Sequence, residues 1–311
     1  MSEFHHVSVL LDECIEALNI RPDGIYVDGT LGGGGHSYHI AEKLTTGRLI
    51  GIDRDPVALA AAGKRLEPFG DRVTLVHSNF CRMTQVLEEL GIPGVDGILL
   101  DLGVSSPQLD DGARGFSYMA DAPLDMRMDS GDALTAYTVV NTWPQEELKR
   151  ILYDYGEERY APAIASAIVR RRETAPIETT LELVDVIRSA MPAAALREKQ
   201  HPAKRSFQAI RIAVNDELNS VSKAMETMIP KLNPGGRLAV ITFHSLEDRI
   251  VKSAMAAGAK GCICPPEFPV CVCGRKPQVK LLTRKPIVSG EEELDQNPRA
   301  RSAKLRVCEK L

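Results

Sequence analysis

The chain has 311 residues, more than one ordinary domain needs, and its 44% hydrophobic content is enough for two cores. A net charge of -4 excludes a broadly basic nucleic-acid binder, so any nucleic-acid surface must be local. The amino-terminal segment carries Glu3 and Asp12 and has no apolar stretch of spanning length. We therefore expect neither a signal peptide nor a membrane helix, and a cytoplasmic protein.

The first predicted strand, IYVD at residues 25–28, runs into a glycine-rich turn at residues 32–35 and then into a helix. Glycine permits positive φ and lets backbone N–H groups approach a ligand at the positive end of the helix. The dinucleotide fingerprint G-x-G-x-x-G fails, because its last position falls on Ser37 or Tyr38. The pattern Asp28-x-x-x-Gly32-x-Gly34 instead resembles the first motif of Rossmann-like S-adenosylmethionine-dependent methyltransferases. A solvated glycine-rich loop is the alternative.

A second predicted strand, residues 48–53, ends at Asp53 and is followed by a helix that Asp55 caps, with Pro56 in its first position. An acid at this strand end can accept both hydroxyls of a ribose, and the alternative is a surface acid or a second cap. The third strand, residues 72–77, leads to Phe80. Phe80 can cover a purine, although a lone phenylalanine is more often a core residue.

The fourth predicted strand, residues 97–101, ends at Asp101. Asp28, Asp53 and Asp101 thus each end an apolar run, at three successive predicted crevice positions. Ligands of open α/β sheets bind outside the carboxyl ends of the strands. The sequence therefore predicts a ligand crevice at this edge of a parallel sheet.

Six longer blocks are similar to the signatures of one family, the bacterial 16S ribosomal RNA cytosine-N4 methyltransferases. They are DGTLGGGGHS (28–37), GIDRDP (51–56), GILLDLGVSSPQLDD (97–111), RGFS (114–117), PLDMRM (123–128) and FHSLEDRIVK (243–252). The match continues to NPRARS at residues 297–302 and so covers nearly the whole chain.

The resemblance implies an α/β fold: a Rossmann-like class I methyltransferase sheet, mostly parallel with an antiparallel closing strand, and a helical domain inserted after strand four. It implies the cofactor S-adenosyl-L-methionine and methyl transfer to the exocyclic N4 of a cytidine in the decoding region of 16S rRNA. The partner would be this RNA, within the small ribosomal subunit, with no membrane involved. The alternatives are an amino-methyltransferase on DNA or a small molecule, or a non-catalytic ribosome-assembly protein. The oligomeric state, monomer or homodimer, stays open.

Carried over position by position, the family's cofactor contacts fall on Gly34, Gly35, His36, Asp53, Phe80, Asp101 and Gln108. Asp101 is also the expected catalytic residue, as acceptor for the target amino group. The chain departs from related amino-methyltransferases here, because Asp101-Leu-Gly-Val has no aromatic residue to stack on the base. Phe116 or Tyr118 would have to do so, unless they form the core of a lid.

We expect the methyltransferase domain at residues 1–104 and 214–311, and an inserted loop and helical substrate-recognition domain at residues 105–213. In the insertion, Thr142 with Gln145 and Thr179 with Glu182 each fit a capping box. Further on, Ser245 with Asp248 suggests another helix start. The positive segments that RNA phosphates could contact are 170–172, 199–205, Lys276, Lys280, Arg284 and Lys285, although each is more often a solvated face.

Four of the seven cysteines form two C-x-C pairs, Cys262 with Cys264 and Cys271 with Cys273. They could converge on one zinc ion, yet C-x-C is tighter than the usual spacing of structural zinc sites, and the resemblance demands no metal. Thiols without a metal or a redox-sensitive pair are the alternatives. We assign no metal to the active site.

Overall fold

The computed structural model describes residues 8–265, 267–270 and 272–311. The strands are β1 Ile25–Asp28, β2 Arg48–Asp53, β3 Val73–His77, β4 Val95–Asp101, β5 Leu232–Thr242, β6 Val279–Leu281 and β7 Lys304–Lys310. The α-helices are α1 Leu11–Leu18, α2 Gly35–Lys43, α3 Pro56–Leu66, α4 Met83–Glu89, α5 Ser106–Asp110, α6 Ala136–Thr142, α7 Gln145–Asp154, α8 Ala161–Thr174, α9 Thr180–Ser189, α10 Lys204–Asn215, α11 Glu217–Lys231, α12 Ser245–Ala259 and α13 Glu291–Gln296.

The seven strands form one sheet in the order β3-β2-β1-β4-β5-β7-β6. β1 to β5 pair in parallel, whereas β7 runs antiparallel to both β5 and β6. The predicted fold class is thus confirmed, including the antiparallel closing strand. In this order β1 and β4 are neighbours, so the chain reverses direction across the sheet between them. That reversal is where open α/β sheets bind ligands.

The chain divides into two compact units. The first unit contains the described residues up to Gly103 together with Leu218–Leu311, and the second unit is Val104–Glu217. In the first unit, alternate residues of each central strand pack on opposite faces. Val27 and Ile98 belong to the core that includes α4, α11 and α12, whereas Tyr26 and Leu99 belong to the core that includes α1 and α2. Burial on both faces accounts for the continuous apolar runs of these strands.

The second unit is helical and has its own core, built from α6 to α10. The capping box of Thr179 and Glu182 is confirmed at the start of α9. The one predicted at Thr142 is wrong. Thr142 is the last residue of α6, where its hydroxyl donates back to the carbonyl of Thr138 at 2.7 Å, and α7 begins only after Pro144.

No helix in the described part of the chain combines the length and the apolar character needed to cross a bilayer.

Candidate functional site

The glycine-rich turn after β1 leads directly into α2. Gly32 and Gly34 have φ values of +50° and +76°, which L side chains rarely adopt. A Cβ built on Gly33 meets no atom of the described residues within 4 Å, whereas one on Gly35 would lie 2.0 Å from Ser8 Oγ. The turn therefore has one open side at Gly33 and one tightly packed side at Gly35, where the helix starts.

The carboxylate of Asp28 stabilises this turn through hydrogen bonds. This carboxylate is buried and accepts hydrogen bonds from the Ser37 hydroxyl at 2.7 Å and the Thr30 N–H at 3.2 Å. Burial raises the pKa of Asp28 to about 6, and the charge of Asp53 adds to this effect. Asp28 joins the end of β1 to α2, so its role lies in shaping the turn.

Asp53, the last residue of β2, is bonded to the same turn. Its Oδ2 accepts from the Gly32 N–H at 2.7 Å, and its Oδ1 accepts from the Asp55 N–H at 2.8 Å. Burial raises the pKa of this carboxyl too. Each carboxylate oxygen can accept a second bond, so the fixed pair can bind two neighbouring hydroxyls of a ribose.

Asp101 ends β4, and its backbone N–H donates to Thr30 Oγ1 at 2.5 Å. The side-chain Oδ1 is buried and has no hydrogen-bond partner among the described residues. Burial raises the pKa of Asp101 to about 8, with smaller contributions from the charges of Asp28 and Glu247. A buried acceptor without a partner costs free energy, and such groups point to a ligand or a catalytic role.

His36, in the first turn of α2, faces Asp101. Its Nε2 donates to the carbonyl of Val9 at 2.9 Å, because a carbonyl can only accept. In the neutral ring this leaves Nδ1 as an acceptor, 3.9 Å from Asp101 Oδ2. The ring is therefore oriented by the backbone, and it presents an acceptor to the carboxyl group of Asp101.

Glu247 is a site residue that the sequence interpretation missed. It is buried, and its Oε2 accepts from the backbone N–H groups of Phe243 at 2.9 Å and His244 at 3.3 Å. His244 is the N-cap of α12, so the predicted cap at Ser245 with Asp248 is wrong by one residue. The sequence signal was the glutamate three residues after His244, because a glutamate at that position accepts hydrogen bonds from the backbone at the start of a helix.

The remaining predicted cofactor residues lie in different units. Phe80, in the first unit, is half-buried and packs against the core, and its Cβ is 3.2 Å from a Cβ built on Gly29. Gln108, in the second unit, is buried, and its Oε1 accepts from the Ser105 N–H at 3.1 Å. Gln108 thus also stabilises the start of α5.

The two aromatic residues considered for base stacking lie in the second unit. Phe116 is only 6% exposed and belongs to the core, which matches the lid-core alternative. Tyr118 is partly buried against the same core, and its ring stacks on His201 with centroids 4.5 Å apart.

The predicted positive segments also include structural residues. Arg172 donates to the carbonyls of Val140 and Trp143 at 2.7 and 2.8 Å, and Arg205 donates to the carbonyl of Glu157 at 3.1 Å. Arg170, two residues before Arg172, is exposed.

These features fit S-adenosylmethionine. The turn of positive-φ glycines is open at Gly33, the oxygens of Asp53 are fixed by two N–H groups, and the unpartnered Oδ1 of Asp101 lies at the end of β4. All of them belong to loops and strand ends at one edge of the sheet in the first unit. This edge can hold a nucleoside with a charged group close to Asp101.

The sequence matches the model of the MraW methylase family over residues 3–311. Three curated relatives, each named "Ribosomal RNA small subunit methyltransferase H", are 60% identical to this chain. The relative from Heliobacterium modesticaldum aligns over 99% of both chains. Those from Heliobacterium mobile and Brevibacillus brevis align over 99% of this chain and over 100% and 98% of their own lengths. The family resemblance is confirmed, and the chain belongs to the MraW methylase family as an S-adenosylmethionine-dependent methyltransferase.

Proposed function

We propose that the protein methylates the exocyclic N4 of a cytidine in the decoding region of 16S rRNA, on the small ribosomal subunit and in the cytoplasm. The printed names of the 60% identical relatives support small-subunit ribosomal RNA as the substrate. The sequence blocks shared with the cytosine-N4 family support the base and the atom.

The proposed cofactor contacts are those carried over from the family. The backbone of Gly34, Gly35 and His36 would meet the methionine part at the start of α2, and Asp53 would accept the ribose hydroxyls. Phe80 would cover the adenine. The family resemblance also implies a cofactor contact at Gln108. The open side of the turn at Gly33 and the two fixed oxygens of Asp53 support this arrangement.

Bound S-adenosylmethionine supplies an electrophilic methyl group on a sulfonium. The N4 lone pair of cytosine is delocalised into the ring and is a weak nucleophile. A hydrogen bond from the amino group to a carboxylate favours a pyramidal nitrogen with its lone pair directed at the methyl group. We propose Asp101 as this acceptor. The observation that carries the proposal is its buried Oδ1, which has no partner among the described residues.

Asp101 is also suited to take the proton that N4 must lose. A general base works best when its pKa lies near the operating pH. Burial brings the pKa of Asp101 to about 8, and the nearby charges of Asp28 and Glu247 contribute. His36 Nδ1 is 3.9 Å from Asp101 Oδ2. Once protonated, the carboxyl group of Asp101 can rotate so that its O–H points towards this nitrogen.

We propose that the helical insertion, residues 105–213, recognises the folded RNA through phosphates and shape, with the target base turned out of its stack. The exposed Arg170 is the member of the 170–172 segment best placed to contact phosphate, because Arg172 is engaged with backbone carbonyls.

The test uses small subunits from a strain that lacks this gene, incubated with the protein and methyl-labelled S-adenosylmethionine. The RNA is digested, and its nucleosides are identified by mass spectrometry. We expect N4-methylcytidine as the labelled nucleoside, formed about a hundredfold or more slowly with Asp101→Ala.

A different methylated nucleoside would contradict the assigned atom. Labelling of duplex DNA or free nucleosides, but not of subunits, would establish the other substrate class. Cofactor binding without any labelled product would indicate a non-catalytic assembly role.

A further inference from the structure

Three cysteines between α12 and β6 come together in a segment to which the proposed methyl transfer assigns no role. The Sγ atoms of Cys262, Cys264 and Cys273 all lie within 4.8 Å of one another. Cys273 Sγ is 3.7 Å from Cys262 Sγ, far beyond the bonded S–S distance of about 2.05 Å. A tetrahedral ion with Zn–S bonds of about 2.3 Å holds its sulfur ligands about 3.8 Å apart. The 3.7 Å separation of Cys262 and Cys273 matches this geometry, and Cys264 Sγ lies close enough to reach the same ion.

The local backbone supports a ligand role for this cluster. The N–H of Cys264 donates to Cys262 Sγ at 3.4 Å. A backbone N–H directed at a sulfur stabilises the thiolate form, which is the form that binds a metal. The tight C-x-C spacing thus places both a second sulfur and an N–H donor next to the first sulfur.

In its described part, the segment that carries the cysteines has neither regular secondary structure nor a core of its own. Between α12 and β6, the described residues form no helix or strand. Its large apolar side chains, Ile263, Phe268, Val270 and Val272, are 51 to 74% exposed and so provide no core. The Gln278 N–H donates to the Gly258 carbonyl at 2.8 Å and Arg275 donates to the Ala257 carbonyl at 3.0 Å, contacts that fix only the return to α12. A cross-link through the sulfurs would order the rest.

We propose that Cys262, Cys264 and Cys273 bind a structural zinc ion that folds this loop. Soft thiolate ligands select zinc, copper(I) or iron, and the short sulfur separations suit a single ion rather than a multi-iron cluster. Zinc forms such sites without redox chemistry, and metal binding is then coupled to folding of the segment. The fourth cysteine of the sequence pattern, Cys271, lies outside the described residues, and the proposal rests on the other three.

The test measures metal in the full-length protein, purified under reducing conditions without a metal-affinity tag. Plasma mass spectrometry should find about one zinc per chain, and at least a tenfold lower content in the triple variant Cys262→Ser/Cys264→Ser/Cys273→Ser. Cys81→Ser, a half-buried cysteine of the first unit, is the matched control and should keep its zinc. Replacement by Co²⁺ should give a thiolate-to-cobalt charge-transfer band and the intense visible bands of a tetrahedral site.

A second readout follows the loop itself. Chelation should make the wild-type chain about tenfold more sensitive to trypsin after Arg275, while the triple variant should be sensitive with or without chelator.

The proposal is overturned if the protein neither contains zinc nor takes it up anaerobically, or if the triple variant binds as much zinc as the wild type. Iron or copper as the resident metal would overturn the choice of zinc. A Cys262 to Cys273 disulfide in the reduced preparation would replace the metal site by a redox pair. None of these results depends on methyltransferase activity, so the proposed function can fail or succeed independently.

Discussion

Burial disfavours the ionised form of Asp101, and the charges of Asp28 and Glu247 add to this effect. With a pKa of about 8, the carboxyl is mostly protonated at neutral pH. A positive charge close by favours ionisation, because the carboxylate is stabilised by the opposite charge. The protein thus keeps a carboxyl whose charge responds to a cationic ligand.

This coupling gives a pH prediction. Binding of S-adenosylmethionine should tighten roughly tenfold between about pH 6.5 and pH 9, because ionised Asp101 attracts the sulfonium. S-adenosylhomocysteine has the same titratable groups but a neutral sulfur, so its affinity should change much less. Calorimetric titration of both ligands checks this. An equal pH dependence for the two, or one that persists in Asp101→Asn, would contradict the assignment of Asp101.

Asp53 and Asp101 should respond differently to removal. Asp53→Ala should raise the KM for S-adenosylmethionine about 10- to 100-fold with little change in kcat, because ribose contacts act equally in the ground and transition states. Asp101→Ala should lower kcat by about a hundredfold or more, since an acceptor for N4 acts in the transition state. Steady-state kinetics on subunits separates the two, and unchanged kinetics in both variants would refute the site.

At the level of elements, the start of α2 fits closely against Ser8. A Cβ on Gly35 would lie 2.0 Å from Ser8 Oγ but 3.4 Å from Ser8 Cβ, an ordinary contact. The hydroxyl oxygen is therefore the atom that excludes a larger residue at this position. Gly33, two residues earlier, has no such neighbour in the described part of the chain.

Gly35→Ala should destabilise the protein by about 1–3 kcal/mol through overpacking. Ser8→Ala/Gly35→Ala should recover most of that loss, and Gly33→Ala should stay within about 1 kcal/mol of wild type. Denaturant unfolding of these variants, the wild type and Ser8→Ala, which completes the double-mutant cycle, tests this prediction. If the double variant were no more stable than Gly35→Ala, the contact with Ser8 would not be the cause.

The sequence predicted elements best where local chemistry decides them. Asp55 does cap α3 by accepting the Val57 N–H at 2.9 Å, and Pro56 is the first residue of that helix. Prediction failed at Thr142, whose hydroxyl bonds within the preceding helix. The three-residue strand β6 was also missed, because it pairs only with β7, far along the chain.

The site shows the same division. The apolar runs predicted that Asp53 and Asp101 lie at strand ends in the site. The same pattern does not show that Asp28 is buried and stabilises the turn instead. Only the fold shows that Asp28 is bonded to Ser37 and that Glu247 contributes charge at Asp101. Asp101 and Glu247 are distant in sequence, and the burial that raises the pKa values of Asp28 and Asp101 arises only in the folded chain.

For the molecule as a whole, the net charge of -4 leaves RNA recognition to local groups. Within the second unit, neighbouring arginines serve different purposes. Arg172 holds the carbonyls of Val140 and Trp143, whereas Arg170 is exposed.

Arg170→Ala should leave stability unchanged and reduce the salt dependence of RNA binding by about one unit of slope, as expected for one lost phosphate contact. Arg172→Ala should instead lower the free energy of unfolding by about 2 kcal/mol, because two partly buried carbonyls lose a charged donor. Filter binding over a salt series and thermal unfolding distinguish the pair. A stability loss in Arg170→Ala would show that this arginine also supports the fold.

The position of β7 between β5 and β6 has a consequence for the order of assembly. β6 pairs with β7 alone, although β6 leaves the ribosome more than twenty residues earlier. A nascent chain can therefore align β1 to β5 in parallel while β6 and the cysteine loop before it still lack their sheet neighbour. The emergence of β7 adds both missing ladders at once, and its Arg306 then reaches Asp248 of α12 at 2.6 Å. The far edge of the sheet thus cannot be completed before β7 is available to pair.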